Sequence, residues 1–504
     1  MNSLENALSG SSGDGTVPTV RPTRPPVPWA RLVPMKELTA SAVDDAARYL
    51  DGWIAFRQRV DRVPGIQVAV LHEDRLVLSS AHGHADVESG VALTTSHLFR
   101  IASHSKTFTA TAVLQLVEDG RLRLDDPLAD HLDFLAGEPA GRVTVREVLA
   151  HGSGLVRDGW DGDFWQLFRS FPDRAGLERI SVDAADVLGR NERFKYSNIG
   201  FGLLGSVIEA VTGSSYGAHI AARITGPLGL ADTGPELDPA RASQVATGYG
   251  SLAYLDRRLP IETVPTGALA SATGFYSTAS DLVRYASAHF DGDERLLTDD
   301  SKRLAQRNEW KVEGSAAGRH YGLGFAVTEI GKRRLLGHGG GFPGHITHTL
   351  FDPAGRYAVS ALTNCIDGPA QTLAAGAVHL LDLAAAGPGP EDEDLQRFCG
   401  RFANLWGVFD IAALGGRLYR LDPTLAEPTA DRCRLEVAHR DTLRIVEAPG
   451  YASPGERYEI ERAADGTIRS VRGGSGTTSY PIDRFSEAAS SAQRVTPDAP
   501  LRLD

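Results

Sequence analysis

Cysteine is rare in this chain of 504 residues, and long apolar runs do not occur in it. The three cysteines, Cys365, Cys399 and Cys433, are odd in number and widely spaced, so we expect neither a disulfide framework nor a Cys-x-x-Cys metal pair. No stretch of about 18 apolar residues occurs, so the sequence predicts no transmembrane helix. The first residues lack a basic region followed by an apolar one, which predicts no secretory signal and hence a cytoplasmic protein.

Positive charge is also in short supply. The net charge is −12, which argues against nucleic acid as a partner because phosphate binding needs a basic face. The hydrophobic fraction of 42% is enough for a large buried core. The chain is therefore expected to fold either as two domains or as one large domain with a small one.

The distribution of periodic segments predicts the order of domains. Residues 1–40 are rich in Ser, Gly and Pro and predict an extended arm. Strand-like segments stand at both ends of residues 41–385 with helical segments between them, which predicts one α/β domain whose sheet joins its two ends. Residues 386–394 resemble a linker, and alternating segments over 395–490 predict a small antiparallel β domain before a tail at 491–504.

Lysine is the scarcest charged residue. It occurs six times although lysine and arginine together number 52, so each lysine is a choice against arginine. Lys106 stands in the stretch FRIASHSKTF, three residues after Ser103 and among apolar or small neighbours. A serine and a lysine at this spacing share one face of a helix. A buried lysine that has lost its proton can accept the serine proton, so the pair predicts an activated nucleophile.

Two later stretches add polar groups that suit the same chemistry. FKYSNIGFGLLG holds Tyr196 and Asn198. The phenol could relay a proton to a leaving group, and the amide could anchor the substrate and the lysine. LLGHGGGFPGH holds His338, Gly339 and Gly340, where glycines on a strand would let a substrate lie against the backbone.

The order Ser-x-x-Lys, Tyr-x-Asn, His-x-Gly resembles the serine hydrolases of the penicillin-binding protein and class C β-lactamase superfamily. VTVREVLAHGSGL is similar to a conserved family stretch, as are ATGFYSTASDLVRYA and YGLGF. The resemblance covers residues 50–385. It implies an antiparallel sheet flanked by helices, a helical lobe and, after them, a small lipocalin-like β-barrel.

The resemblance also implies roles for the motif residues. Ser103 would be the acyl-forming nucleophile, Lys106 its base partner and Tyr196 the general acid and base. The Ser103 backbone N–H would contribute to the oxyanion hole. The substrate would be bound by Asn198, His338, Gly339 and Gly340.

One departure from the family pattern leaves the substrate open. His338 stands where many β-lactamases have the lysine of Lys-Thr-Gly, as in D-aminopeptidases and related esterases, so efficient β-lactam hydrolysis is not expected. The expected substrates are peptides, amides or esters, including ones with D-amino acids. A single C-terminal barrel is also the layout of thioesterases that cyclise nonribosomal peptides, which would add thioesters and a peptidyl carrier protein. A third possibility is an inactive binding protein that keeps the fold.

Other motif matches and histidines are interpreted as structural and not as functional residues. The segment Gly200–Gly205 fits Gly-x-Gly-x-x-Gly, but no strand is predicted before it, so we interpret these residues as helix-packing glycines. His151 is interpreted as a residue that supports the fold. The histidines near position 340 lack the spacing of a zinc site, so neither a metal nor a cofactor is expected.

Overall fold

The structure is a computed structural model that describes residues 38–183, 187–314, 318–386, 394–450, 452–474 and 476–492. The predicted arm at 1–40 lies almost wholly outside the described residues. Most of the predicted linker and nearly all of the predicted tail lie outside them as well. The domain boundaries proposed from the sequence therefore stay predictions.

The first thirteen strands lie before residue 364. Nine of them form one antiparallel sheet in the order β3-β2-β1-β13-β12-β11-β10-β9-β8, and the other four form two small ladders. The strands are β1 (Gly65–His72), β2 (Arg75–Asp86), β3 (Val91–Ala92), β4 (Phe99–Arg100), β5 (Gly248–Tyr249), β6 (Pro260–Ile261), β7 (Tyr276–Ser277), β8 (Trp310–Lys311), β9 (His320–Tyr321), β10 (Ala326–Ile330), β11 (Arg333–Phe342), β12 (His345–Asp352) and β13 (Tyr357–Thr363).

The pairing of β1 with β13 joins the two ends of this region. Ile66 lies opposite Thr363 and His72 lies opposite Tyr357 in an antiparallel register. The sequence-based prediction that the sheet joins both ends is confirmed.

Helices cover both faces of the sheet. None of those described is both long enough and apolar enough to cross a membrane. The cytoplasmic location stays a prediction. The helices are α1 (Ala40–Val60), α2 (Ser105–Glu118), α3 (Val145–Leu149), α4 (Arg174–Asp183), α5 (Asn198–Thr212), α6 (Tyr216–Ile220), α7 (Ala279–Ser287), α8 (Asp299–Ala305), α9 (Ala370–Ala384) and α10 (Ile482–Ala492).

Strand β1 shows why the sheet needs helices on both sides. All eight of its residues are buried. Val68 and Val70 belong to the apolar cluster that contains α1 and α9. Ala69 and Leu71 belong to the cluster that contains α2, α5 and α7. Successive side chains of a strand point to opposite faces, so a strand that is buried throughout requires two covered faces.

Helix α2 runs through the centre of the second cluster. Its first twelve residues are buried, so it carries no solvent-facing stripe, as expected of a core helix. Gly120 follows its end with φ of 69°, a left-handed conformation that glycine adopts without strain. Gly120 therefore closes this helix.

The glycines of α5 serve close packing. A Cβ on Gly200 would lie 2.9 Å from Val148, and one on Gly205 would lie 2.5 Å from the Ser271 hydroxyl. No strand occurs in the described residues 187–197 that precede the helix. The helix-packing interpretation of this motif is confirmed.

The C-terminal strands form a closed barrel of eight antiparallel strands. Each strand pairs with the next along the chain, and the last pairs with the first, so the barrel has no open edge. The predicted antiparallel β-barrel is confirmed. Its strands are β14 (Gly400–Asn404), β15 (Gly407–Leu414), β16 (Arg417–Leu421), β17 (Cys433–His439), β18 (Thr442–Glu447), β19 (Arg457–Arg462), β20 (Ile468–Arg472) and β21 (Thr478–Pro481).

The barrel shares an apolar core with the first helix. Leu414, Tyr419 and Leu421 of the barrel belong to the same buried cluster as α1 and α9. The indole of Trp53 on α1 donates a hydrogen bond to the carbonyl of Pro423 at 3.0 Å. The barrel is therefore packed against α1 by both apolar and polar contacts.

We expect Leu414→Ala to lower the free energy of unfolding by about 2–5 kcal/mol, because it opens a cavity in this shared core. Leu414 is fully buried, whereas Leu405 on the β14–β15 turn is 76% exposed. Leu405→Ala should therefore change the free energy of unfolding by less than about 0.5 kcal/mol. Urea denaturation followed by tryptophan fluorescence measures the unfolding free energy of both variants. Equal stabilities of the two variants would contradict the shared core.

Candidate active site

Ser103 lies in a single 3-10 turn, Ala102–His104, between β4 and α2. Ala102 has φ of 46°, which is strained for a residue with a Cβ. The Ser105 hydroxyl holds this turn, because it donates to the Ala102 carbonyl at 2.5 Å and accepts from the Phe275 N–H at 3.1 Å. The turn leaves Ser103 partly exposed while its neighbours are buried. It thus presents the hydroxyl at the start of a core helix.

Strand β11 lies directly against this turn. A Cβ on Gly340 would stand 2.1 Å from the Ile101 carbonyl oxygen and 2.6 Å from the Thr347 hydroxyl. Only glycine permits this approach, so Gly340 brings the strand edge beside Ser103. Gly339 and His338 precede it on the same strand and form one wall of the cleft.

Lys106 is fully buried and makes three hydrogen bonds with uncharged oxygens. Its amine lies 3.2 Å from the Ser103 hydroxyl, 2.7 Å from Asn198 Oδ1 and 2.8 Å from the Ala272 carbonyl. Ala272 belongs to a π-helical turn, Ala270–Gly274, and such turns are frequent at functional sites. The amine also lies 4.7 Å from the centre of the Tyr196 ring. Among the described residues, no carboxylate is within ion-pair distance of Lys106.

A second buried lysine shows how this chain handles a charged amine. Lys302 is 1% exposed and forms an ion pair with Asp299 at 2.6 Å. It also donates to the carbonyls of Phe290 and Asp293. A buried charge is normally paired in this way. Lys106 lacks such a partner, so its environment favours the neutral amine.

Burial accordingly holds the pKa of Lys106 well below its ordinary range. The negative charge of Asp158 opposes this shift of the pKa, and the positive charge of Arg157 adds to it. A larger fraction of Lys106 is therefore neutral near pH 7 than of an exposed lysine. A neutral amine in contact with a serine hydroxyl can accept its proton.

Tyr196 completes the contacts of the nucleophile. Its hydroxyl donates to Ser103 Oγ at 2.8 Å. Burial raises the pKa of Tyr196 well above its ordinary value, so the side chain stays a neutral phenol. It is therefore suited to donate a proton to a group that arrives at Ser103.

Asp158 orients the amide of Asn198. Its Oδ1 atom accepts from Asn198 Nδ2 at 2.7 Å and from the Trp165 indole at 3.0 Å. Because Asn198 donates to Asp158, its carbonyl oxygen must face Lys106. The sequence did not indicate Asp158 or Trp165 as site residues, because a single aspartate and a single tryptophan in a loop carry no periodic or motif signal.

His338 is held as a neutral ring. One ring nitrogen, Nδ1, lies 2.6 Å from the Gly339 carbonyl, which can only accept, so Nδ1 carries the proton. The other, Nε2, then accepts from the Tyr321 hydroxyl at 3.0 Å. Burial, reinforced by Lys106, holds the pKa of His338 well below its ordinary value. The wall of the cleft thus has no cation at the His338 position.

His151 lies behind Tyr196 in an aromatic cluster. Its ring centre is 4.2 Å from that of Tyr196 and 4.8 Å from that of Tyr321. Its Nδ1 accepts from the Ser197 N–H at 3.2 Å, and burial holds its pKa well below the ordinary value. It touches neither Ser103 nor Lys106 through a hydrogen bond among those described. Its position suits the supporting role inferred from the sequence.

The structure brings Ser103, Lys106, Tyr196 and Asn198 into one hydrogen-bonded group. It places His338, Gly339 and Gly340 along the facing strand. The catalytic and binding roles of all seven stay proposals. Within the described ranges, no three His, Cys, Asp or Glu side chains come close enough together to hold a metal ion.

Comparison with known proteins places these motifs in a family context. The sequence model of the family described as Beta-lactamase matches residues 55–383. Penicillin-binding protein 4 of Amycolatopsis lactamdurans is 29% identical over 341 residues, which cover 64% of this chain and 85% of that protein. Protein flp of Staphylococcus aureus strain MRSA252 is 23% identical, and the match spans 63% of its length.

Solved structures show the same fold. The octameric penicillin-binding protein homologue from Pyrococcus abyssi has a TM-score of 0.61 at 23% identity, covering 84% of this chain and 97% of its own. SurE has a TM-score of 0.55 at 24% identity, with coverages of 88% and 99%. The D-amino acid amidase of Ochrobactrum anthropi SV3, complexed with D-phenylalanine, has a TM-score of 0.57 at 26% identity, with coverages of 68% and 98%. The first two matches extend beyond residue 385 and so include part of the barrel.

Substitutions at Asp158 separate its charge from its hydrogen bonds. If Lys106 is the base that activates Ser103, acylation requires the neutral amine, and the acylation rate should rise with pH through the pKa of Lys106. Asp158→Asn keeps an acceptor for Asn198 and Trp165 but removes the negative charge that raises this pKa, so the rising limb should move to lower pH. Asp158→Ala removes the acceptor as well and should lower the acylation rate roughly 100-fold through misplacement of Asn198.

Both variants are tested by pre-steady-state acylation with an activated ester. The rate is measured from about pH 5 to 10, a range chosen from the ordinary pKa values of His and Lys. The other charged or titratable groups facing Lys106 are Arg157, His151 and His338. Asp161, exposed and paired with Arg169, supplies the control Asp161→Asn. An unmoved limb in Asp158→Asn would show that Asp158 does not influence the protonation of Lys106.

Proposed function

The chain belongs to the beta-lactamase family, and from this premise we propose that it is a serine hydrolase that forms an acyl-enzyme on Ser103. The observation that carries the proposal is the environment of the Ser103 hydroxyl. It accepts a hydrogen bond from a neutral phenol and lies 3.2 Å from the amine of a buried lysine, whose other partners, Asn198 and Ala272, are uncharged acceptors. This arrangement places a base and an acid within hydrogen-bond distance of the nucleophile.

Acylation begins with attack of Ser103 Oγ on the substrate carbonyl carbon. As the new C–O bond forms, the serine proton passes to Lys106 Nζ, 3.2 Å away. The carbonyl oxygen becomes negative, and the backbone N–H of Ser103 is available to stabilise it at the start of α2. The Lys106 ammonium formed in this step contacts three uncharged acceptors and no paired carboxylate. It therefore readily gives the proton back.

Tyr196 protonates the leaving group. When the bond between the carbonyl carbon and the leaving atom breaks, the phenol proton moves to that atom, and the phenolate recovers a proton from the Lys106 ammonium through the shared hydrogen-bonded group. Water or an amine then attacks the Ser103 ester. Its proton follows the reverse route, and Ser103 leaves as the restored hydroxyl. Proton count and charge are the same at the beginning and the end.

The roles of the other motif residues follow from their contacts. Asn198 is 2% exposed and holds Lys106, so anchoring the lysine is the role its geometry favours. Its Nδ2 atom has a second hydrogen that can reach a substrate carbonyl. Gly339 and Gly340 leave the edge of β11 open for an extended substrate, and His338 forms the end of that wall.

We propose peptides, amides or esters as substrates, including those with D-amino-acid residues. His338 is neutral and buried, so it cannot pair with the carboxylate that a β-lactam presents, and this disfavours β-lactam hydrolysis. The 26% identity to a D-amino acid amidase supports the D-configured amides. A catalytically inactive binding protein is disfavoured, because it would gain nothing from a buried lysine without a counter-ion.

A cyclising thioesterase is the second candidate, and a basic cavity favours it. This cavity of about 350 Å³ opens beside Tyr196 and His338, on the side of the proposed leaving group. Arg157, Arg319 and His320 line it. A carrier protein presents its acyl group on a phosphopantetheine thioester, whose phosphate would suit the two arginines. The partner would then be a peptidyl carrier protein.

A fluorophosphonate probe should label the wild-type protein at Ser103, and Ser103→Ala should remove the label. Lys106→Arg should slow acylation by roughly 10²–10⁴-fold, because a guanidinium cannot accept the serine proton. Lys302→Arg, at the other buried lysine, is the matched control and should keep the label if the protein still melts cooperatively. Peptide mapping of a label that survives in Ser103→Ala would contradict the nucleophile assignment.

The two candidate functions differ in their thioester substrates. A peptidyl thioester of N-acetylcysteamine and the same peptide on a phosphopantetheinylated carrier should be compared by kcat/KM and product mass. The thioesterase predicts faster release from the carrier and a product lighter than the linear acid by one water molecule. Arg319→Ala, which leaves Arg157 and its effect on the pKa of Lys106 in place, should then slow the carrier substrate alone. A linear product and equal rates would favour the hydrolase.

A further inference from the structure

A second cavity, of about 590 Å³, opens on the other side of the cleft. It lies between the 165–167 turn, the segment around β6 and the end of β11. A volume of this size is typical of small-molecule sites. Its apolar lining is formed chiefly by Trp165, Leu167, Tyr254, Ile261, Phe342 and Ile366.

The wall nearest the sheet is held rigid by aromatic packing. The Phe342 ring lies 4.7 Å from the guanidinium of Arg100 and 6.1 Å from the parallel ring of Phe171. Trp165 packs edge-on to Phe342 at 6.2 Å, and its indole is bound to Asp158. The wall is therefore preformed, so a ligand that fills the cavity orders few side chains.

The cavity is connected to the nucleophile by strand β11. Gly341 and Phe342 line it and directly follow Gly340, which lies against the turn that carries Ser103. Tyr196 and His338 line the basic cavity instead. If Tyr196 protonates the leaving group, that group occupies the basic cavity, and the acyl group must extend the other way.

The charge of this cavity is opposite to that of the basic one. Among the described residues that line it, Glu262 is the one charged side chain, and it is exposed. No lysine or arginine lines it. An acyl group that carries a carboxylate would therefore meet a like charge and no lysine or arginine to pair with, which costs free energy.

We propose that this cavity is the acyl-group subsite and selects acyl donors with a large apolar side chain, aromatic or branched aliphatic, over short or anionic ones. The assignment rests on the proposed function, because it takes its direction from Ser103 and Tyr196. Burying apolar groups of this size contributes enough to change kcat/KM by an order of magnitude or more.

The test uses p-nitrophenyl acetate, 3-phenylpropionate and the monoester of adipate, which share one leaving group. Each kcat/KM is divided by the rate of uncatalysed hydrolysis. We expect the phenylpropionate value to exceed that of acetate by roughly tenfold or more, and the adipate value to fall below that of phenylpropionate. Ile261→Asp and Ile366→Asp introduce a carboxylate from two separate segments. Each should bring the phenylpropionate-to-acetate ratio below roughly threefold, because the added carboxylate removes most of the gain from apolar burial.

Neither isoleucine belongs to the apolar core clusters, so both variants should fold, and either one suffices for the test. Leu405→Asp, on the exposed turn of the barrel, is the matched control and should leave the ratio unchanged. The subsite is overturned if the active enzyme has equal normalised kcat/KM values for the three esters. It is also overturned if neither cavity variant changes the phenylpropionate-to-acetate ratio. Absence of any Ser103 adduct in the wild type overturns the proposed function and, with it, this assignment.

Discussion

The burial of the Lys106 amine without a counter-ion is the constraint on which the rest of the site depends. A buried amine must satisfy its hydrogen bonds, and here the acceptors come from three separate elements: the turn before α2, the start of α5 and the π-helical turn at Ala270–Gly274. These elements must therefore meet at one point. The same arrangement lowers the pKa of Lys106 and so prepares it to act as a base. Stability and reactivity are linked through one side chain.

The surrounding packing keeps that point of contact in place. Glycines on α5 bring this helix against Val148 and Ser271, which positions Asn198 at its first turn. Gly340 brings β11 against the nucleophile turn from the opposite side. Each close approach is possible only where no Cβ intervenes. The two sides of the cleft are thus defined by backbone contacts, which are more rigid than side-chain contacts.

The two cavities give the cleft a direction. The one beside Tyr196 is lined by arginine and histidine, and the one beyond Gly341 is lined by aromatic and aliphatic side chains. A substrate with an apolar acyl part and a polar or anionic leaving part would match this arrangement. The barrel packs against α1 and α9 through the shared apolar core.

The sequence by itself determined the main elements of this protein, because their signals are local. The periodicity of α1 and α2, the stop at Gly120, the strands at both ends of the first domain and the alternating strands of the barrel could all be predicted. The Ser103–Lys106 pair was also predicted, since its three-residue spacing lies within one helical turn. Only the tertiary structure decided how the lysine is satisfied, which way the Asn198 amide faces, and that His338 is neutral. Those properties depend on Asp158, Ala272 and Tyr321, which lie between 17 and 166 residues from the groups they contact or orient, and no local pattern encodes contacts between segments so far apart.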